Sequence, residues 1–223
     1  CASYYASLEL ASQNRTQWLN EYRICTASGK LKWLRTQALP CPQYDGRVLW
    51  NGILIDITEH KNNEASLLRL KKIYTAVLKA NQLISRTRDL SELLQGICKI
   101  AVELGGMKMA WIGVPDPLNE RILSVASYGA GTAYLDDIFI STRADLPEGC
   151  GPTGTTFREN RTILNQNFQG NLITDPWHER AKPYGWGSSA TVPVQRDGKP
   201  YAVLTVYAPE INAFDDEIVS LLE

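Results

Sequence analysis

The hydrophobic positions of this chain change their period near residues 58 and 87, and the two changes divide it. Before residue 58 apolar residues alternate with polar ones or stand in short blocks. Trp18 to Thr26 alternates through Leu19, Tyr22 and Ile24, Leu31 to Leu39 carries Trp33 and Leu34, and Val48 to Ile57 is the most apolar block. Such runs predict strands. Between them, Ala27-Ser28-Gly29-Lys30 and Tyr44-Asp45-Gly46-Arg47 supply the Gly and Asp of tight hairpins. The expected product is a three-stranded meander preceded by a short helix over Tyr4 to Gln13. Three strands shield an apolar face only when other structure packs on it, so this part reads as half a domain.

From Asp56 to Arg86 the chain runs without Gly or Pro and the period lengthens. Ser66, Leu70, Ile73, Val77, Ala80 and Ile84 recur at alternating four- and three-residue steps, the spacing of a two-helix seam. Leu67, Tyr74 and Leu78 form a second stripe on a neighbouring face. The pattern predicts a long connecting helix, with Leu70, Ile73, Val77, Ala80 and Ile84 as a seam pairing two copies of the chain in a homodimer. Thr58 stands where the last strand becomes this helix and can cap it, while Asp56 can hydrogen-bond neighbouring backbone.

Beyond the helix the patterns mix. Asp89 or Ser91 caps a second amphipathic helix whose stripe is Leu90, Leu93, Leu94, Ile97, Ile100, Ala101 and Leu104, and Gly105-Gly106 stops it. Strands follow at Met109 to Val114, Arg121 to Tyr128, Phe139-Ile140 and Thr162 to Leu164, with brief helices at Thr155 to Asn160 and Pro176 to Lys182. Ser188 to Gln195 and Lys199 to Tyr207 flank Arg196-Asp197-Gly198, the clearest hairpin of the chain, and Pro193 marks an edge or a bulge in its first strand. A closing helix begins at Phe214.

Composition narrows the classes of function. At 223 residues with a formal net charge of -1, the chain fits two small domains and lacks the basic field of a non-specific nucleic-acid binder. No apolar run approaches the roughly 20 residues that span a bilayer, and the start is not a signal peptide. The five cysteines, Cys1, Cys25, Cys41, Cys98 and Cys150, are scattered and odd in number, which predicts reduced thiols in a cytoplasmic protein. The chain starts without Met and stops inside a helical pattern, and is therefore expected to be a fragment of something longer.

Two stretches carry family resemblances. Asn20-Glu21-Tyr22-Arg23-Ile24, Ser28-Gly29-Lys30-Leu31-Lys32-Trp33-Leu34 and Gly52-Ile53-Leu54-Ile55-Asp56-Ile57-Thr58-Glu59 resemble the C-terminal half of a PAS sensor domain. In that family the Asp-Ile-Thr step passes sheet movement into the following helix, a role the resemblance assigns to Asp56 and Thr58. Asn81-Gln82-Leu83-Ile84, residues 106–113, residues 151–155, Asp175-Pro176-Trp177, residues 188–194 and Phe214-Asp215-Asp216-Glu217 resemble a GAF domain. The closest likeness is to those that sit between PAS domains and cyclic-di-GMP synthesising or degrading domains in bacteria. GAF domains also precede histidine kinase cores. The implied architecture is α+β, with a PAS part over 1–58, a signalling helix over 59–86 and a GAF domain over 87–223. Its sheet would hold about six antiparallel strands flanked by helices.

Catalytic and cofactor motifs are weak. Gly149-Cys150-Gly151-Pro152-Thr153-Gly154-Thr155-Thr156 has glycines spaced as in a phosphate loop, but Thr155 stands where the Lys belongs. A structural loop entering a helix is the commoner reading, although a helix start can greet an anion. His60 and His178 fit no metal-ligand spacing. Cys41-Pro42 resembles the Cys-Pro pair of some haem-regulated proteins, yet a thiol before a turn proline is far more common. No Cys-His pair is present to hold a bilin, and the cyclic-nucleotide pattern of GAF domains is not met. Trp111, Tyr128, Trp177 and Trp186, with Thr153, are the candidate lining of a small-molecule pocket.

The expectation is a sensory module that does no chemistry itself. It would bind an unidentified small ligand, with no cofactor named by the sequence, and bias an effector domain in the same polypeptide. The enzyme alternative is a methionine sulfoxide reductase on the GAF fold, which would use Cys98 and Cys150 as its thiols.

Overall fold

The computed structural model of the chain describes residues 2–45, 47–136 and 138–222. Cys1, Gly46 and Glu223, which figure in the expectations above, lie outside them. The backbone packs as two units, Cys1–Leu68 and Arg69–Glu223, and the division falls inside the long helix rather than at either end of it.

In the first unit, helix α1 (Ala2–Asn14) is followed by strands β1 (Trp18–Cys25), β2 (Leu31–Pro42) and β3 (Val48–Asp56). They form one antiparallel sheet in the order β1-β2-β3, the predicted meander. The core is small: Ala11 of α1 meets Trp18 and Ala38, which face each other in the β1–β2 register, with Tyr4, Leu8 and Trp50 around them. Helix α2 then runs without a break over Thr58–Arg86. The most apolar block, β3, is also the most open. Leu49, Ile53 and Leu54 are more than half exposed, because β3 lies at one edge of the sheet while the core gathers on β1 and β2.

In the second unit, α3 (Leu90–Glu103) leads into β4 (Met109–Asp116) and β5 (Arg121–Gly129). Next come α4 (Pro152–Glu159), β6 (Ile163–Asn165) and the single turn α5 (His178–Ala181). The hairpin β7 (Ser188–Arg196) and β8 (Lys199–Ala208) and helix α6 (Asp216–Leu222) complete it. The carboxylate of Asp89 caps α3 by accepting from the Glu92 N–H at 2.7 Å, and Asp215 does the same for Ile218 of α6 at 2.9 Å. Asp197 and Gly198 both take positive φ, 53° and 74°, the turn whose twist matches a two-residue hairpin. Pro193 lies past the end of β6, which pairs only with Ser189–Thr191, and a register shift follows it at Val194/Gln195.

The sheet has five antiparallel strands in the order β5-β4-β8-β7-β6, not six. The strand expected at Phe139-Ile140 is replaced by one bridge, Arg121↔Ser141. Ile140 O accepts from Ile122 N–H and Glu120 O from Thr142 N–H, both at 2.9 Å, after which the chain turns away. One face of the sheet (Ala110, Ile112, Ala202, Val206) is covered by α3, α6 and the second half of α2, and Phe214 fills its centre. On α3 the buried stripe centres on Cys98, with Leu94, Ile97, Ala101 and Val102 beside it, while Leu90 stays exposed. The other face (Met109, Trp111, Val203, Tyr207) is covered by the turns and short helices between residues 132 and 186.

This arrangement gives two residues of the expected dimer seam an intrachain role. Ile73 is only 2% exposed within a single chain and sits in the core with Cys98, Ala110 and Phe214, and Leu70 packs against that core. A stripe at this spacing serves an intrachain seam as well as an interchain one, and here Leu70 and Ile73 serve the former. Val77, Ala80 and Ile84 line an open groove of about 1000 Å³ with α3, β7, β8 and α6. Among the described residues, no helix is long and apolar enough to cross a membrane. Ile73→Ala should destabilise the second unit by about 2–5 kcal/mol, the range for emptying a buried aliphatic site. Chemical denaturation checks this, and a loss under about 1 kcal/mol would mean that α2 does not pack there.

Candidate ligand pocket and helix junction

The start of α2 is fastened to its sheet by a short network. The Ile57 N–H donates to Trp33 O and the Trp33 N–H to Thr58 Oγ1, both at 2.9 Å. The Asp56 carboxylate accepts from the Thr58 N–H at 3.0 Å and from its hydroxyl at 2.5 Å, and meets Lys32 Nζ at 2.7 Å. The side-chain bond from Lys32, then those from Thr58, hold the Asp56 carboxyl far below the usual carboxylate range. Asp56 thus bonds neighbouring backbone by holding the first helical N–H, while the Thr58 hydroxyl joins the helix to β2.

One turn along, Lys61 Nζ reaches Glu21 Oε2 at 2.9 Å, and Arg35 reaches the other oxygen at 2.6 Å. Lys61 and Arg23 also stand over the Trp33 ring at 5.7 and 5.5 Å. Neither Lys61 nor Glu21 stood among the candidate site residues. The register of the first hairpin, which sets Glu21 opposite Arg35, was the signal that would have found them.

In the second unit, the turn-covered face of the sheet holds a ring-rich core. Trp186 stacks on Tyr207 at 4.0 Å between centroids, and Tyr134 meets Trp186 edge-on at 4.8 Å. Trp111 Nε1 donates to the Tyr207 hydroxyl at 3.4 Å, and Trp177 Nε1 to Phe139 O at 3.2 Å. Burial pushes the Tyr207 hydroxyl up to about 12. Among these rings lies a cavity of about 20 Å³ whose polar lining is Thr153, Thr174, Ser189, Thr191, Thr205 and Tyr207. That volume holds roughly one water molecule, so any larger occupant must lift part of the covering segment.

The structure divides the five candidate pocket residues. Thr153 and Trp177 line the cavity, and Trp111 and Trp186 are buried in the same core behind it. Tyr128 does not join them: it packs on the opposite face of the sheet, and its hydroxyl donates to Glu103 at 2.6 Å. Strand alternation separates it from Trp111, since Tyr128 pairs with Ala110, whose side chain points to the helical face. The lining residues that the sequence reading missed are the hydroxyls at alternate positions of β7 and β8.

The glycine-spaced loop is structural. A Cβ on Gly151 would lie 2.2 Å from the Trp177 ring, so this glycine lets the start of α4 sit against the cavity wall. Arg158 Nη1 donates to Gly149 O at 2.6 Å and to Thr142 O at 3.3 Å, and Cys150 Sγ donates to Ala144 O at 3.2 Å. His178 is held by Thr174 Oγ1 at 3.0 Å and Asp175 at 3.4 Å. No group of three potential metal ligands occurs among the described residues. Cys98 lies on α3 and Cys150 in an exposed loop ahead of α4. Cys98 is fully buried in the helical-face core, where desolvation pushes its thiol up to about 12.

The sequence profile of the GAF domain matches residues 87–223. The chain belongs to the GAF domain family. No curated protein sequence matches it. Among solved structures, it resembles a free methionine-R-sulfoxide reductase from Neisseria meningitidis in complex with its substrate. The TM-score is 0.55 at 17% identity, over 67% of this chain and 81% of the other. It also resembles the GAF domain of a phosphoenolpyruvate-protein phosphotransferase from Coxiella burnetii, with a TM-score of 0.54 at 12% identity over 69% and 87%. The Acinetobacter GAF domain from a protein of the same description gives 0.52 at 18% over 67% and 85%. At these identities the likeness establishes the GAF fold, a fold of small-molecule sensing, and nothing finer.

Two measurements test the geometry. In the folded GAF domain, iodoacetamide should label Cys150 and spare Cys98 until denaturant is added. Because the Cys98 thiol is raised in the folded state, its contribution to stability is full below the ordinary thiol value near 9 and is lost as pH rises towards 12. Gly151→Ala should cost about 1–3 kcal/mol by forcing Trp177 aside, seen as a lower Tm with altered tryptophan fluorescence.

Proposed function

We propose that the chain is a sensory module in which a GAF domain binds a small molecule and α2 carries the result, without chemistry of its own. The observation that carries this reading is the placement of the two coverings of one sheet. A hydroxyl-lined cavity lies on one face, and α2 packs through Ile73 on the other. An occupant that lifts the covering segment alters the spacing of β7 and β8, whose alternate side chains form the floor of the α2 site. Residues 1–58 are read as the C-terminal part of a PAS domain, supported by the meander, by α1 on its face and by the Asp56–Thr58 junction. The output of α2 would be an effector domain of the same polypeptide. The resemblance favours a cyclic-di-GMP enzyme, with a histidine kinase as the alternative.

The reductase reading has the shared fold in its favour. Against it stand the two GAF-domain thiols, one inert in a core and the other in an exposed loop.

Native mass spectrometry of the purified chain should find a small-molecule mass that Ser189→Leu, which fills the cavity, no longer carries. Hydrogen exchange over residues 58–86 should differ between ligand-bearing and ligand-free preparations. Identical exchange would remove the relay. With free methionine-R-sulfoxide and dithiothreitol no turnover is expected, and turnover that Cys150→Ser abolishes would make the chain an enzyme.

A further inference from the structure

The wall of the GAF cavity restricts the charge of its occupant, and this inference rests on the reading of that cavity as the ligand site. Its polar lining consists of hydroxyls alone, and the remainder is Tyr134, Ile140, Pro152, Phe168 and Trp177. No Asp, Glu, Lys, Arg or His is among the described lining residues. The ionisable side chains of the surrounding segment are engaged elsewhere. Arg180 donates to Asp136 O, Lys108 to Tyr184 O and Gly185 O, Arg121 to Ile138 O, and His178 bonds Thr174 and Asp175. A charged ligand would lose its hydration and meet no counter-charge, whereas an uncharged one loses little.

The hydroxyls are not equivalent. Thr191 and Thr205 bond each other at 3.1 Å, and Thr174 donates to backbone carbonyls. Ser189 and Thr153 are 2% and 7% exposed and line the cavity, and among the described residues the buried side-chain atom left without a partner in the same core is Trp186 Nε1. Ser189 comes from β7 on the register position of Tyr207, and Thr153 from the first turn of α4. Ser189 and Thr153 face the same cavity from two elements, and a buried indole N–H without a partner is uncommon in folded proteins. The rings around them offer both faces and edges to a flat occupant.

We propose that the pocket takes a small uncharged aromatic molecule carrying one hydroxyl or amide group, which Ser189 and Thr153 hold, and that it rejects carboxylates, ammonium compounds and zwitterions of the same size. Entry lifts the segments around Thr132–Leu135 and Leu172–Trp177, which enclose the site.

The test uses the full chain and a matched set of probes with one ring body: benzyl alcohol, benzamide, benzoate and benzylammonium. Saturation-transfer NMR and thermal shift should show the first two binding at least about tenfold tighter than the last two, a difference of about 1.4 kcal/mol. Ser189→Ala should weaken benzamide by about fivefold, the size of one hydrogen bond. Tyr128→Phe, on the opposite face of the sheet, should leave it unchanged. Benzoate or benzylammonium binding as tightly as benzamide, and weakened by Ser189→Ala, would overturn the charge selection and leave the pocket standing. Neutral probes indifferent to both Ser189→Ala and Thr153→Ala would overturn the assignment to these hydroxyls. Binding by none of the four would overturn the pocket together with its selectivity.

Discussion

Strand β8 is buried on both faces, and the second unit is arranged to satisfy that constraint with two unlike coverings. Ala202, Val206 and Ala208 point to one side and Val203 and Tyr207 to the other, all at most 4% exposed. Small side chains on the helical face let α2, α3 and α6 approach closely, so the core there is filled by Phe214, Ile218 and Ile73 from outside the sheet. Large rings on the opposite face keep their cover at a distance. That cover is made of turns, whose polar backbone needs partners, and the hydroxyl of Thr174 and the indole of Trp177 provide several. A cavity on the turn side is a consequence of this asymmetry: rings packed edge to face leave gaps that aliphatic side chains close.

The sequence carried the order of elements well and their faces less well. Strong local signals, such as Asp197-Gly198 and the Asp89 cap, placed the β7–β8 hairpin and α3. Faces depend on register, and register in this hairpin cannot be counted from the turn. Arg196↔Lys199 and Gln195↔Pro200 follow the turn, but the shift at Val194/Gln195 then sets Thr191 opposite Thr205 and Ser189 opposite Tyr207. Without the bulge Thr191 would face Leu204, and the hydroxyl pair that marks the cavity would not exist. Pro193 hinted at the bulge without locating it. Tyr128 failed for a related reason, since aromatic character does not say on which side of the sheet a residue falls. Ile73 was ambiguous because a 3.5-residue stripe specifies a buried face and not whose surface buries it.

In the first unit the reverse holds. No bulge interrupts the β1–β2 register, so the pairing Glu21↔Arg35 follows directly from the turn at residues 26–30. Lys61 completes that pair from the first turn of α2. Each contact is at the surface and worth little alone. Together with Asp56, Thr58 and the Trp33 backbone they attach the start of α2 to its sheet, beside the buried apolar side chains of Ile57 and Leu34. Polar attachment of this kind fixes a helix in direction while leaving little hydrophobic energy to resist a shift.

The fold alone does not separate a sensor from a reductase, because both kinds of protein share it with this chain at similar TM-scores. The decision falls to the side chains at the cavity, and there the chemistry is one-sided. A thiol mechanism needs a thiolate, which a desolvated Cys98 resists, and no second thiol lies in its core among the described residues. A zwitterionic substrate needs charges that the described lining lacks. Hydroxyls on a strand and at a helix start, enclosed by rings, are what the described lining presents, and such groups desolvate an uncharged partner at far less cost than a charged one.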